Sequence, residues 1–196
     1  FIPSEAAAKN PMWLRPTNFL KIIEWFIFSY ILSWNLFYFA VALVTWLFFT
    51  PSLESMKYLE WEWIGLILLR NLVLVTIFFN LIHIPLYVKK LQGIKFKFNP
   101  NWPEKKQKIF TFKKQSFDNF FWSLGFGVPI WTAYEVISFW LFASGKIGIV
   151  TPNTSPFYFI LIILLIPIFR DAHFYLVHRL LHCAPIYKIV HNVHHR

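Results

Sequence analysis

Four apolar stretches constrain this chain more than any other feature. They run from Phe19 to Thr50, broken by Glu24 and Asn35, from Trp61 to Val88, from Asn119 to Ala143, and from Phe157 to Arg170. A bilayer span takes about 20 predominantly apolar residues. The first three stretches meet that length, and the fourth continues into a polar, histidine-rich end. Ser155 followed by Pro156 reads as the start of the fourth helix, with a capping residue ahead of a first-turn proline.

Composition agrees and removes the other classes. Of 196 residues, 57% are hydrophobic and 14% are charged, against about 25% charged in ordinary soluble domains. A soluble domain of this size could not hide so much apolar surface. Disorder is excluded, because disordered chains are poor in aromatic residues and here they make up 21%. Cys183 is the only cysteine, so a disulfide scaffold is excluded. The opening FIPSEAAAKN lacks the apolar core of a secretory signal.

The expected fold is therefore all-α, with about four transmembrane helices and an interfacial histidine-rich region. We divide the chain into a polar N-terminal segment, 1–18, a four-span domain, 19–170, with a basic loop at 89–118, and a histidine-rich segment, 171–196. Residues 51–60, PSLESMKYLE, read as a short acidic loop, and 144–155 as another loop.

The charge distribution carries topology. The net charge is +10, and residues 89–118 hold nine lysines. Four spans place the N-terminus, this loop and the C-terminal segment on one side, with 16 of the 19 basic residues. Lys57 and Lys146 fall on the other side, and Arg70 within a span. By the positive-inside rule the basic side faces the cytosol, or the matrix of an organelle. In a soluble protein such charge would suggest nucleic acid. Here no nucleic-acid partner is expected, and the lysine loop reads as a solvated loop beside anionic lipid headgroups.

Charged groups inside a span are costly and face a partner. Arg70 is nine residues from the Trp61 end of its span, and Glu135 eight from the Ala143 end of the next. Both lie about 12–14 Å deep from the same side by helical rise. The expectation is a structural intramembrane pair, direct or through a polar neighbour such as Asn71.

Six of the seven histidines fall between His173 and Arg196. His173 and His178 form HxxxxH, His178 and His182 form HxxxH, and His191, His194 and His195 form HxxHH. Residues three and four apart share a helix face. So His178 with His182, and His191 with His194 and His195, can each aim nitrogens at one point, with His173 at the edge of the first face. Imidazole suits iron, zinc, copper and nickel. His173 lies 16 residues beyond Phe157, about 24 Å of helix, close to the membrane surface. A metal there could meet a lipid-dissolved substrate on one side and an electron donor on the other. The remaining histidine, His83, reads as an interfacial residue able to approach that site. Asp171, just before the first histidine, is a candidate to orient a ligand through its second N–H, or else pairs with Arg170 or Arg179. Tyr175 and Tyr187 read as interfacial aromatics, and Cys183 as a small buried residue.

The run HFYLVHRLLH, then IYK, then VHNVHH resembles the fatty acid hydroxylase/sterol desaturase superfamily, integral membrane oxygenases with a histidine-bound non-haem di-iron centre. The resemblance is specific over 170–196 and general upstream, where several spans precede the boxes. It implies that His173 and His178 are the first box, that His191, His194 and His195 are the second, and that His182 is the extra histidine that follows. It also implies a third HxxHH box, which would lie beyond Arg196, and without which two irons are not held. The implied activity is O₂-dependent hydroxylation or desaturation of a sterol or fatty-acyl lipid, with electrons from a donor such as cytochrome b5 or a reductase. The implied location is the endoplasmic reticulum for a eukaryotic enzyme. The alternative expectation is a catalytically degenerate member that serves as a structural subunit of a larger membrane complex, for instance in the mitochondrial inner membrane. A zinc hydrolase is disfavoured, since the carboxylate of an HExxH site is absent.

Overall fold

The computed structural model describes residues 18–97, 99–104, 108 and 110–188. Among them the structure is all-α, without a β-strand element. Four helices are long and apolar enough to cross a membrane: α1 (Phe19–Phe49), α2 (Trp61–Val88), α3 (Gln115–Ala143) and α4 (Pro156–Leu181). A short helix, α5 (Ala184–Ile186), follows. The chain divides into two compact units. The described residues of the first are 18–25, 39–97, 99–104, 108 and 110–148, and those of the second are 26–38 and 149–188.

Two helix limits differ from the hydropathy reading. Helix α3 starts at Gln115 rather than Asn119, and α4 runs eleven residues beyond Arg170. Apolar content marks what enters lipid, whereas helix extent follows backbone pairing. Polar residues at 115–118 and 170–179 propagate a helix as well as apolar ones do. Pro156 opens α4 as expected, although the Ser155 side chain makes no cap bond.

Prolines leave their mark inside the spans. A proline lacks the N–H that would pair with the carbonyl four residues earlier. In lipid, a freed carbonyl needs another donor. Around Pro85 the ladder widens to a π turn, Ile84–Val88, closed by the Lys89 N–H on the Ile84 carbonyl at 2.8 Å. A second π turn, Ser123–Gly127, precedes Pro129. In α1 the π segment is Phe26–Asn35, where the Asn35 side-chain amide donates to the Tyr30 carbonyl at 2.6 Å.

In the first unit α2 and α3 pack antiparallel. Ile67 shares a buried cluster with Val136, Asn71 bonds Thr132, and Phe79 packs on Phe120 with ring centroids 4.9 Å apart. The buried cluster is Met56, Trp63, Ile67 and Val136. Met56 comes from a 3₁₀ turn, Leu53–Met56, so the acidic loop is partly a plug and not only solvated chain. The Trp63 indole N–H donates to the Tyr58 carbonyl at 2.9 Å and ties the loop to α2.

In the second unit the Tyr30 hydroxyl donates to the Leu164 carbonyl at 2.9 Å. Pro167 lies three residues on and removes the donor for the adjacent Ile163 carbonyl. The tyrosine thus supplies a hydrogen bond on the turn that the proline opens.

Candidate functional site

Helix α4 presents the histidines. Its last turn carries His178, and His182 is its C-cap residue. One helical turn apart, their rings face each other, with Nε2 atoms 3.2 Å apart. Phe174 stacks on the His178 ring at 5.3 Å between centroids, and Tyr187 stacks on the His182 ring at 5.7 Å. Both imidazoles are therefore braced from outside the pair.

This separation suits metal coordination. Two imidazole nitrogens about 2.1 Å from one ion, at octahedral to tetrahedral angles, lie about 3.0–3.4 Å apart. In this structure the two Nε2 atoms share a hydrogen bond, and their separation falls in the range that two ligands of one ion would need. His173 stands elsewhere on α4. Five residues turn a helix by about 140° and nine by about 180°, so His173 points away from His178 and opposite His182. Among the described residues no group of three His, Cys, Asp or Glu side chains converges on one point. His191, His194 and His195 lie outside the described residues.

Asp171 accepts two hydrogen bonds from Arg170 on one carboxylate oxygen, at 2.9 and 3.0 Å. That is the interfacial pairing named as the alternative to ligand orientation. Arg179 donates to the Tyr175 hydroxyl at 2.9 Å, so this tyrosine is engaged beside the histidine turn. Cys183 is exposed, contrary to the expectation of a buried residue. It sits between the end of α4 and the Pro185 turn, where the chain leaves the helix.

The structure brings Arg70 and Glu135 together. The Arg70 guanidinium contacts the Glu135 carboxylate, with both side chains largely shielded. Arg70 also donates to the Thr50 hydroxyl at 2.8 Å and to the Asn71 side-chain oxygen at 2.9 and 3.1 Å. The Asn71 amide in turn donates to Glu135 at 2.8 Å and to Thr132 at 3.0 Å. Sequence reasoning missed Thr50 and Thr132. The signal for Thr132 was present, since it lies one turn before Glu135. Thr50 had none, because it is contributed by the far end of α1.

His83 stacks between Phe79 and Tyr87, at 4.9 and 5.5 Å. It lines a cleft of about 490 Å³ in the first unit, at the α2–α3 end that carries the lysine loop.

Comparison with protein-family models, curated sequences and solved structures returns no match. The structure itself defines the class: an all-α chain with four helices able to span a membrane, fitting a multi-pass membrane protein.

Proposed function

We propose that this chain is a membrane lipid oxygenase of the fatty acid hydroxylase/sterol desaturase type. Its reaction would be O₂-dependent hydroxylation or desaturation of a sterol or fatty-acyl lipid. The observation that supports this most is the facing His178–His182 pair at the end of a span-length helix. An ion bound there would replace the hydrogen bond that the two nitrogens now share.

Non-haem iron held by this pair together with His191, His194 and His195, two irons where a third box completes the set, would supply O₂ activation and the removal of hydrogen from an unactivated C–H bond. His173, on the opposite side of α4, is not among these ligands. The other residues of the chain bind and orient. Phe174 and Tyr187 hold the two imidazoles in register. Arg170 pairs with Asp171 along the helix surface. The apolar faces of α4 admit a substrate from the lipid phase. Electrons would come from a donor such as cytochrome b5 or a reductase on the basic side. That side is cytosolic in an endoplasmic reticulum enzyme and faces the matrix in a mitochondrial inner-membrane protein, as supported by the lysine asymmetry.

The test uses the full-length protein, purified and reloaded with ferrous iron. His178→Ala should lower bound iron and abolish lipid product formation measured by mass spectrometry. Full iron and full turnover in this variant would refute the assignment. A wild-type protein that binds no iron and co-purifies in a stable assembly would favour the structural-subunit reading instead.

A further inference from the structure

We infer that the cleft between the ends of α2 and α3 is a binding site for the phosphate group of an anionic membrane lipid. It lies in the first unit and does not depend on the iron reading.

The cleft is built around one indole. Trp102 and Lys90 line it, and two lysine ammonium groups sit against the indole ring, Lys90 at 4.4 Å and Lys97, from beside the cleft, at 3.9 Å from the centroid. Lys97 also approaches the Tyr87 ring, at 5.4 Å, and donates to the Asn101 carbonyl at 2.6 Å. Two ammonium groups sharing one ring repel each other, and the ring's electron-rich faces offset only part of that repulsion. Neither lysine has a carboxylate partner among the described residues. An anion in the cleft beside this ring lowers that repulsion.

Three further features favour the same charge. Lys114 and His83 line the cleft as well. Ser116 and Phe117, in the first turn of α3, also line it, and their backbone N–H groups have no acceptor among the described residues. Such first-turn N–H groups favour anions. Lys90 and Lys113, at the two ends of the lysine loop, both adopt the left-handed backbone, with φ of 54° and 61°. Glycine is the usual residue at such positions. A lysine held there is a strained feature of the kind that gathers at ligand sites. Two acids oppose this balance. Glu104 lines the cleft, with its backbone tied to Gln115 and its side chain exposed, and Asp118, in the first turn of α3, is buried beside it and accepts the Phe112 N–H.

The other wall decides between a lipid and a soluble phosphate ester. Phe79, Phe120 and Val88 line the cleft and belong to the two spans. The cationic end therefore lies at headgroup level, and the aromatic end faces the acyl region. A phosphate ester with hydrocarbon attached fits both ends, whereas a free one fits only the first.

The experiment is native mass spectrometry of the full-length protein released from nanodiscs of phosphatidylcholine, with and without a minority of phosphatidylglycerol. The wild type should retain phosphatidylglycerol selectively. Lys90→Gln/Lys97→Gln should weaken that retention roughly 30-fold, at about 1 kcal/mol per lysine. The control Lys57→Gln/Lys146→Gln removes the same charge elsewhere and should leave retention unchanged. If the double variant proves misfolded by circular dichroism, Lys90→Gln alone should still weaken retention roughly 5-fold on the same scale. Equal retention of both lipids, or equal loss in the control, would overturn the inference. Displacement of the lipid by soluble glycerol phosphate would also overturn it, by assigning the site to a free phosphate ester.

Discussion

Glu135 on α3 receives both Arg70 and Asn71 from α2, the latter at 2.8 Å, so one carboxylate fastens two consecutive residues of the neighbouring span. Removing one partner strands a charge where solvent cannot reach it, which costs about 3–5 kcal/mol. Glu135→Ala should destabilise the purified protein by that order in a denaturant titration. Arg70→Met/Glu135→Leu should cost less than Glu135→Ala, because it leaves no orphan charge. Equal costs for the single and double variants would show that the pair is not coupled.

Tyr30 supports the turn that Pro167 opens in α4. Tyr30→Phe removes one hydrogen bond, worth about 1 kcal/mol. In a Pro167→Ala background the helix ladder can close, and the same change should cost less. An identical cost in both backgrounds would mean that the tyrosine serves some purpose unconnected with the proline.

The lysine asymmetry gives a topology that labelling can read. In a Cys183→Ser background, Lys97→Cys should react with an impermeant maleimide only when the basic side is accessible. Lys146→Cys should react from the opposite side. Labelling of both from one side of sealed vesicles would contradict an odd number of spans between them.

Met56 fills the cluster beneath the 51–60 loop and is fully buried. Met56→Ala should cost about 2–5 kcal/mol, as for other large-to-small changes in packed sites. A loss below about 1 kcal/mol in the same titration would mean that the loop repacks over the gap.

How far the chain can be read without its structure differs by feature. The spans are legible because lipid imposes a long apolar run, and Trp61–Val88 has the same limits in both views. The ends of α3 and α4 are not, since Gln115, Ser116 and Asp118 at one end, and Arg170, Asp171, His173, His178 and Arg179 at the other, are helical without being apolar. Equal depth along two adjacent spans points from Arg70 to Glu135. Nothing local points from Arg70 to Thr50, whose position depends on how α1 ends. The facing of His178 and His182 follows from a four-residue spacing. The placement of His173 away from both also follows from helical rotation, and grouping it with His178 by motif alone hides this. Trp102 and its two lysines are invisible in the sequence, because a loop with no periodicity brings them together.

The central claim is that the histidine turn binds iron. The most direct measurement is X-ray absorption at the iron edge on the full-length protein, with metal content determined on the same sample. The account predicts bound iron, an imidazole scattering pattern, and loss of iron in His178→Ala/His182→Ala. A wild-type sample without iron, or a double variant that keeps the wild-type iron content, would contradict it.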